Sequence, residues 1–402
     1  MVVPPFPISF SMKVSILTPN FSKGGVDRAY LLAQVLKKLD HEVEILGFLF
    51  GEKIYPEPPA DLPIVCLPGC QFPQFFNSVG QLLDRIDGDL IYAVKPKLSS
   101  FGVGLLKKLR SRVPVLLDVD DWELSWSGGD ETRYRPGLKQ FGRDLVKPDG
   151  ALRSPDHFLY LQWMEPLTGY ADEITIDTNF LQKRFGGTYL PNGKDTDMFD
   201  PSQFDPVESR RKYGLSDYRV LMFPGASRPH KGLEDVLIAL DRLNQPDLRL
   251  VIVGGSPYDD YDRHLIETWG KWVIKLPPAP FWQMPEIVAA AHLVVVPQRD
   301  TVTAQAQFPI KLTEGMSMAK PILATRVGDI PEILGEFGYL VDPESPEQLA
   351  NAIEEIFQDW NQAEQRGREL RSRTVKHYSV TAMAPILADV LDRVSSIRNR
   401  DN

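Results

Sequence analysis

The sequence predicts an α/β protein with two doubly wound domains, and three observations support that prediction. Short continuous apolar runs, such as VSILTP (14–19) and LRLVIVGG (248–255), are typical of parallel strands buried on both faces. Amphipathic helical patterns lie between these runs, and strands that alternate with helices indicate parallel sheets. The pattern also begins twice, because a strand, a glycine-bearing turn and a helix open the chain and return near residue 220.

The first domain is predicted over residues 12–200. Its opening strand leads through the turn SKGG (22–25) into a helix. Residues 1–11 contain three prolines and lack the basic start of a signal peptide, so we interpret them as a disordered extension. Residues 122–168 form a long aromatic insertion with weak strand signals, and insertions of this length are often functional.

The second domain is predicted over residues 201–378, after a polar linker at 199–217 that contains two prolines. Its first strand, VLMFPG (220–225), precedes a helix whose apolar residues recur at helical spacing: Leu233, Val236, Leu237, Leu240 and Leu243. Ser345 and Gln348 have the spacing of a capping box at a later helix. Residues 379–402 predict a last amphipathic helix, which we expect to cross back onto the first domain.

Composition excludes several classes of function. A net charge of −9 over 402 residues disfavours sequence-independent binding of nucleic acid, which needs a basic surface. No apolar run reaches the length of a membrane span. Two cysteines, Cys66 and Cys70, cannot complete a zinc site or a disulfide framework, which favours a reducing cytoplasm. The motifs GxxxxGK[ST], GxGxxG, HExxH and GxSxG are absent, which disfavours many kinases, dehydrogenases, zinc proteases and hydrolases.

The turns that follow the strands therefore carry the candidate chemistry, because doubly wound folds bind ligands at the carboxyl ends of their strands. In GASRPHKG (225–232), Arg228 and Lys231 stand between a strand and a helix, where two cations and free backbone amides would bind an anion. Two solvated loop cations are the alternative.

FPIKLTEGMSMAKPILAT (308–325) predicts a buried helix, with Leu312, Met316 and Ala319 on one stripe and one carboxylate, Glu314. The first turn can present backbone amides to a phosphate, and Lys311 lies in it. Glu314 could accept two hydrogen bonds from a vicinal diol such as a ribose. A structural carboxylate that caps backbone amides is the alternative.

Two further turns lie in the first domain. Gly24 and Gly25 permit close approach of a ligand to the backbone, or form an ordinary tight turn. The segment DVDDW (118–122) follows an apolar run. It suggests a metal site through Asp118 and Asp120, or groups that bind acceptor hydroxyls, or a helix N-cap with an acidic loop.

Taken together and in this order, four segments resemble the carboxyl-terminal domain of the retaining GT-B glycosyltransferases of family 4, the glycosyl transferases of group 1. They are GASRPHKGLEDVLIAL, LRLVIVGG, PIKLTEGMSMAKPILATRVGDIPEIL and GYLVDPESPEQLANAI. A fifth, ADEITIDTNFLQKRFGGTYLPNGKDTDMF (171–199), resembles the passage between the two domains of that family. The resemblance implies two Rossmann-like domains that face each other across a cleft.

The resemblance also implies roles for residues. Arg228 and Lys231 match the basic pair that holds the donor diphosphate, and Glu314 matches the carboxylate that binds the ribose. Gly24 and Gly25 match the glycine turn that faces the diphosphate. The donor site would further include the segment leading into the helix: Gln307, Phe308, Pro309, Ile310 and Lys311.

The sequence departs from the family at two places. The family often has a glutamate eight residues before the position of Glu314, where this chain has Ala306, and Gln307 is our candidate substitute. A histidine frequent before the insertion is replaced by DVDDW, so Asp120 or Asp121 becomes the candidate acceptor-side catalytic residue.

The expected function is a retaining transfer of a hexose from a UDP- or GDP-sugar to an acceptor, which could be a glycan, a lipid or a small metabolite. The resemblance implies that no metal or other cofactor is needed. The alternatives are a catalytically silent nucleotide-sugar sensor or partner subunit, and a metal-dependent transferase that uses Asp118 and Asp120. Peripheral membrane contact and oligomeric state stay open.

Overall fold

The chain folds into two compact units in a computed structural model that describes residues 11–22, 25–255 and 260–401. The first unit comprises Met1–Ile176, Phe185–Leu190 and Ala384–Asn402, and the second comprises Asp177–Arg184 and Pro191–Met383. The prediction of a disordered extension falls almost wholly on residues 1–10, which lie outside the described residues. Within the described ranges, no helix is both long enough and apolar enough to cross a membrane.

The first unit is built on a seven-stranded sheet in the order β3-β2-β1-β4-β5-β6-β7. All neighbouring strands are parallel, as the buried apolar runs predict. The order reverses beside β1, whose two neighbours are β2 and β4. The strands are β1 (Lys13–Thr18), β2 (Glu42–Leu49), β3 (Ile64–Pro68), β4 (Leu90–Val94), β5 (Val115–Val119), β6 (Glu173–Ile176) and β7 (Thr188–Tyr189).

Helices cover this sheet, and helical segments make up the predicted insertion after β5. The insertion contains two α-helices and short 3-10 turns, of which Glu123–Ser127 and Glu165–Tyr170 are the longest. The helices are α1 (Val26–Lys38), α2 (Phe75–Arg85), α3 (Val103–Ser111), α4 (Leu138–Val146), α5 (Phe158–Met164) and α6 (Asn179–Phe185), the last lying at a change between units.

The second unit has a six-stranded parallel sheet in the order β10-β9-β8-β11-β12-β13. Its order reverses between β8 and β11, which pair directly. Predicted and observed strands agree within two residues at 219–224, 248–253 and 293–296. The strands are β8 (Arg219–Pro224), β9 (Leu248–Val253), β10 (Val273–Leu276), β11 (Leu293–Val296), β12 (Ile322–Thr325) and β13 (Tyr339–Val341).

The helices of the second unit follow the apolar spacing closely, and the helix predicted from Leu233 to Leu243 has those bounds. The helices are α7 (Pro206–Lys212), α8 (Leu233–Leu243), α9 (Tyr261–Trp269), α10 (Met284–Ala289), α11 (Val302–Gln305), α12 (Ile310–Ser317), α13 (Ile330–Leu334), α14 (Pro346–Gln358) and α15 (Trp360–His377). A final helix, α16 (Val380–Asp401), belongs to the first unit from Ala384 onward, and its Arg393 donates there to Glu173 and Thr188.

Three local features differ from expectation. The polar segment at 199–217 packs into the second unit, because Phe199 and Leu215 are fully buried in its core. The helix predicted through 308–325 ends at Ser317, and Ala319 has a left-handed backbone with φ 52° rather than a place on the helical stripe. The side chain of Gln348 accepts a hydrogen bond from the backbone amide of Asp342 and not from that of the N-cap, Ser345. The predicted capping box is therefore not formed.

Candidate functional site

The carboxyl edge of the second sheet brings most of the predicted donor residues together. The strands β8 and β11 meet where the strand order reverses, and the loops after them leave the sheet at that edge. Such a reversal point is where doubly wound sheets bind ligands. The two loops are joined, because the backbone amide of Arg299 donates to the carbonyl of His230.

The loop between β8 and α8 depends on Gly232. This residue has φ 67° and immediately precedes α8. A Cβ there would overlap the carbonyl oxygen of Pro297, in the loop after β11. Glycine is therefore required twice, for the left-handed backbone and for the close approach of the two loops.

The charges of three cations act on His230, which lies in this loop. Burial, reinforced by the charges of Lys231, Arg228 and Lys311, lowers the pKa of His230 to about 3. The imidazole is therefore neutral at physiological pH. Lys231 donates to Oε1 of Gln307 at 2.9 Å. A cluster of cations with a neutral histidine among them favours an anionic ligand.

Lys311 lies in the first turn of α12 and reaches back over the end of β8. Its Nζ is 4.9 Å from the centre of the Phe223 ring, and a Cβ on Gly225 would be 2.6 Å from its Cε. Burial and the charges of Lys194 and Arg228 lower the pKa of Lys311, although Glu314 acts against them. An anion near Lys311 would relieve this repulsion.

Glu314 finds its protein partner in Lys194, which the sequence argument did not predict. Lys194 Nζ donates to Glu314 Oε1 at 2.9 Å, and the two side chains are 7% and 10% exposed. The same ammonium group lies 5.0 Å from the ring centres of Phe199 and Phe281. Glu314 is thus a paired buried charge, and its second oxygen can accept further hydrogen bonds.

Two more polar side chains at this edge were missed from the sequence. Ser227 follows β8 and Gln298 follows β11, and both are at most 1% exposed. Within the described residues, Ser227 Oγ and both polar side-chain atoms of Gln298 have no hydrogen-bond partner. Each buried polar group without a partner lowers the stability of the folded chain by about 1–3 kcal/mol, so its presence needs an explanation such as a bound ligand or water.

The carboxyl edge of the first sheet holds a separate cluster of buried charges, at the reversal point beside β1. Lys95 follows β4 and has φ 67°; a Cβ on Gly25 would be 3.1 Å from its Cε. Lys95 Nζ lies 2.6 Å from Glu123 and 3.3 Å from Asp120. Lys95 and Lys97 lower the pKa of Glu123 to about 2 against the opposing effect of burial.

Asp121, the other candidate catalytic carboxylate, accepts a hydrogen bond from Trp126 Nε1 at 2.9 Å. It is 8% exposed, and burial above all raises its pKa to about 6. Burial also raises the pKa of Asp120, while Lys95 opposes it. Both carboxylates therefore lie near Lys95 in a poorly solvated environment, and Asp121 can exchange a proton near pH 6.

The contacts of Asp118 contradict the interpretation of DVDDW as a metal site. Its two oxygens accept from Nε and Nη2 of Arg28, both at 2.9 Å, and Thr175 donates to it at 2.7 Å. Asp118 and Arg28 are at most 1% exposed. The carboxylate is thus committed to a buried ion pair. Among the described residues, no group of three or more His, Cys, Asp or Glu side chains is placed to hold a metal ion.

The remaining predicted residues are placed as follows. Phe308 is buried, Pro309 is the N-cap of α12, and Ile310 is its first residue. Ala306, where the family often has a glutamate, is fully buried at the end of α11. Gly24 lies outside the described residues.

Comparison with known families identifies the second unit. Residues 218–359 match the family model described as glycosyl transferases group 1. The second unit therefore carries a domain that matches the group 1 glycosyl transferases. The chain is 26% identical over 240 residues to a GDP-mannose-dependent alpha-(1-6)-phosphatidylinositol monomannoside mannosyltransferase of Mycolicibacterium smegmatis, covering 55% of this chain and 62% of that protein. It is 30% identical over 181 residues to a D-inositol 3-phosphate glycosyltransferase of Corynebacterium glutamicum, covering 42% of each. The matches span less than two thirds of both relatives.

Solved structures extend the likeness in fold to both units. The structure of HepE of Anabaena in complex with UDP-glucose has a TM-score of 0.73 at 20% identity and covers 95% of this chain and 99% of that one. A sucrose-phosphate synthase of Thermosynechococcus elongatus has a TM-score of 0.71 at 17% identity, covering 96% and 99%. These neighbours confirm the predicted two-domain α/β fold of GT-B type.

Proposed function

We propose that this chain transfers a hexose from a UDP- or GDP-sugar to a hydroxyl acceptor, with retention of the anomeric configuration and without a metal ion. The observation that carries the proposal is the gathering of Arg228, Lys231 and Lys311 around the neutral His230 at the carboxyl edge of the second sheet. A nucleoside diphosphate is an anion suited to three cations. The relative named as GDP-mannose-dependent and the UDP-glucose complex of HepE support this class of donor.

The donor contacts follow from the geometry of the second unit. Arg228 and Lys231 would hold the diphosphate together with the first-turn amides of α12, which have no intrahelical partner. Glu314, held by Lys194, would accept hydrogen bonds from the ribose hydroxyls. Gln307 stands beside Lys231 and would replace the missing glutamate of the family in holding sugar hydroxyls.

These contacts lower the barrier to the departure of the nucleoside diphosphate. The bond between the anomeric carbon and the phosphate oxygen breaks, and the negative charge that develops on the diphosphate is stabilised by preorganised cations and amides. The acceptor oxygen forms the new bond on the same face of the sugar, and its proton passes to the leaving phosphate. We assign the acceptor to the first unit, where Lys95, Asp120 and Asp121 can hold hydroxyl groups.

A transfer assay with the purified protein tests the proposal. UDP- and GDP-sugars are supplied with a panel of hydroxyl acceptors, and the anomeric configuration of the product is read by NMR. We expect retention and full activity in EDTA. Activity lost in EDTA and restored by manganese would overturn metal independence. Binding of a nucleotide sugar without turnover across the panel would instead identify a silent sensor.

A further inference from the structure

The first unit contains an apolar groove that the proposed donor chemistry does not use. It lies between α2 and α3 and has a volume of about 540 Å³, within the roughly 300–1,000 Å³ range typical of small-molecule sites. Phe75 and Val79 line it from α2, Leu106 and Leu109 line it from α3, and Met164 contributes from the end of α5.

The rim of this groove exposes large apolar side chains. Phe76 is 66% exposed, Leu109 is 83% exposed and Tyr170 is 66% exposed, and all three border the groove. Scattered apolar residues are common on protein surfaces, but a contiguous set around a cavity is typical of a binding surface for an apolar ligand.

The groove and the buried charge cluster at the carboxyl edge of the first sheet are lined by neighbouring residues of the chain. Leu98 lines the groove, and the preceding residue, Lys97, pairs with Glu123 at 2.9 Å. Glu123 in turn binds Lys95, which pairs with Asp120. A run of ion pairs therefore starts at the residue next to the groove and ends at Asp120. Recognition of an amphiphilic molecule requires polar and apolar groups that are close together in this way.

We propose that this groove binds the hydrocarbon chain of a lipid acceptor whose hydroxyl-bearing head lies among Lys95, Asp120 and Asp121. The inference rests on the proposed transferase function and names the class of its acceptor. A free sugar would contact the polar side chains and leave the groove empty, whereas an amphiphile would contact both.

The charge beside the groove also suits a lipid. The helix α3 and the residue after it carry four cations and no acidic residue: Lys107, Lys108, Arg110 and Arg112. Lys108 pairs with Asp172 at 2.7 Å, so three cations contribute to the local excess. This local excess stands out in a chain with a net charge of −9. Basic residues next to an apolar surface are drawn to anionic lipid surfaces, where such an acceptor would be found.

Alkyl maltosides test the assignment directly, because they combine a hydroxyl-rich head with a tail of chosen length. Maltose and its octyl, decyl and dodecyl derivatives are titrated into the full chain by calorimetry, below their critical micelle concentrations. Since each buried methylene contributes a constant increment, we expect affinity to rise about tenfold for every two methylenes. Affinity that does not depend on tail length would overturn the proposal.

Gly102 offers a variant that fills the groove. It has a helical backbone with φ −59°, and a Cβ would meet Leu98 at 3.5 Å and Met164 at 3.7 Å, which are ordinary contacts. Gly102→Phe should weaken dodecyl maltoside binding at least about tenfold and leave maltose binding unchanged. Gly142→Phe, in α4, is the matched control, because a Cβ there meets nothing within 4 Å.

A second variant guards against misfolding of the first. Leu109→Ser removes an apolar side chain that is 83% exposed, so the fold should be retained while dodecyl maltoside binding weakens. Equal binding by the native chain and both groove variants would refute the lipid assignment. If Gly102→Phe instead dissociates an oligomer of the native chain, the groove holds a second copy and not a lipid.

The same experiments separate this inference from the proposed function. Nucleotide-sugar binding and transfer to tail-free acceptors are measured on the same preparations. Tail-independent transfer would leave the transferase function standing and overturn the lipid acceptor. Tail-dependent binding without any binding of nucleotide sugars would leave the lipid-binding groove standing and overturn the transferase function.

Discussion

Replacing Lys194 by methionine would leave Glu314 buried without its partner, and the structure sets the expected cost. The two side chains are 7% and 10% exposed and 2.9 Å apart. Removing one partner of a buried ion pair typically costs about 3–5 kcal/mol. In a domain of about 150–250 residues, each kcal/mol lowers the melting temperature by about 2–4 °C, so the drop should lie between about 6 and 20 °C.

Calorimetric melting of the native chain, Lys194→Met, Glu314→Gln and the double variant measures this coupling. The double variant should recover much of the loss of Lys194→Met, because it removes the stranded charge. Arg242→Met is the control. Its partner Glu347 lies 3.1 Å away, but the two side chains are 57% and 67% exposed, so the cost should stay within about 1 kcal/mol. A Lys194→Met variant that melts like Arg242→Met would show that the buried pair contributes no more to stability than the exposed one.

Further predictions concern the donor site and the carboxylates. Lys231→Ala and Arg228→Ala should each weaken binding of a nucleoside diphosphate at least about tenfold while barely changing nucleoside binding, and equal losses in calorimetry would show that the cations do not hold the diphosphate. Glu314→Gln should weaken the binding of ribonucleotides more than the binding of their 2′-deoxy analogues. If the two losses are equal, Glu314 has a purely structural role. Gln298→Met should raise the melting temperature by about 2 °C or more, since an unsatisfied buried amide is removed. It should also weaken nucleotide-sugar binding, because that amide would then be lost to the ligand. If neither the melting temperature nor the affinity changes, the amide of Gln298 is not held unsatisfied for a ligand. The pKa of Asp121 is raised to about 6 in the folded chain, so its contribution to stability is present below about pH 4 and is lost as pH rises through 6. Asp121→Asn should therefore melt higher than the native chain above pH 6 and show no gain below pH 4, and a difference that does not vary with pH would contradict the shift.

The sequence predicted the parts of the fold that depend on local periodicity. Buried strands such as 248–253 and the helix from Leu233 to Leu243 carry their pattern within a few residues, so they could be recognised. The early end of α12 could not be predicted from apolar spacing, because Ala319 fits a helical stripe and only its left-handed backbone in the folded chain ends the pattern.

The residues of the candidate site divide in the same way, into those marked by a local motif and those defined by contacts between distant parts of the chain. Arg228 and Lys231 follow a strand and Glu314 lies within α12, all in recognisable motifs, and the structure brings them to one edge of the second sheet. Lys194 pairs with Glu314 across 120 residues of sequence, and no local pattern reports such a contact. The pairing of Asp118 with Arg28, 90 residues away, was hidden for the same reason and made the segment look like a metal site.

Lysines at the carboxyl ends of buried strands were a signal that could have been used. Lys95 directly follows LIYAV, an apolar run that forms β4 and ends beside β1 at the reversal of strand order. A charged residue at that position is placed for ligand binding by the topology alone. Predicting the strand order would have placed Lys95 beside Gly25 and Asp120.

The second unit should bind a nucleotide-diphosphate sugar, and a thermal-shift screen measures this binding on the native chain. UDP- and GDP-sugars are compared with the corresponding nucleosides, because a ligand that binds only the folded chain stabilises it by about 2.7 kcal/mol at 100 times its Kd. At least one nucleotide sugar should raise the melting temperature by about 5 °C or more, and Lys231→Ala should abolish the shift. A native chain whose melting temperature does not change with any UDP- or GDP-sugar would rule out this donor site.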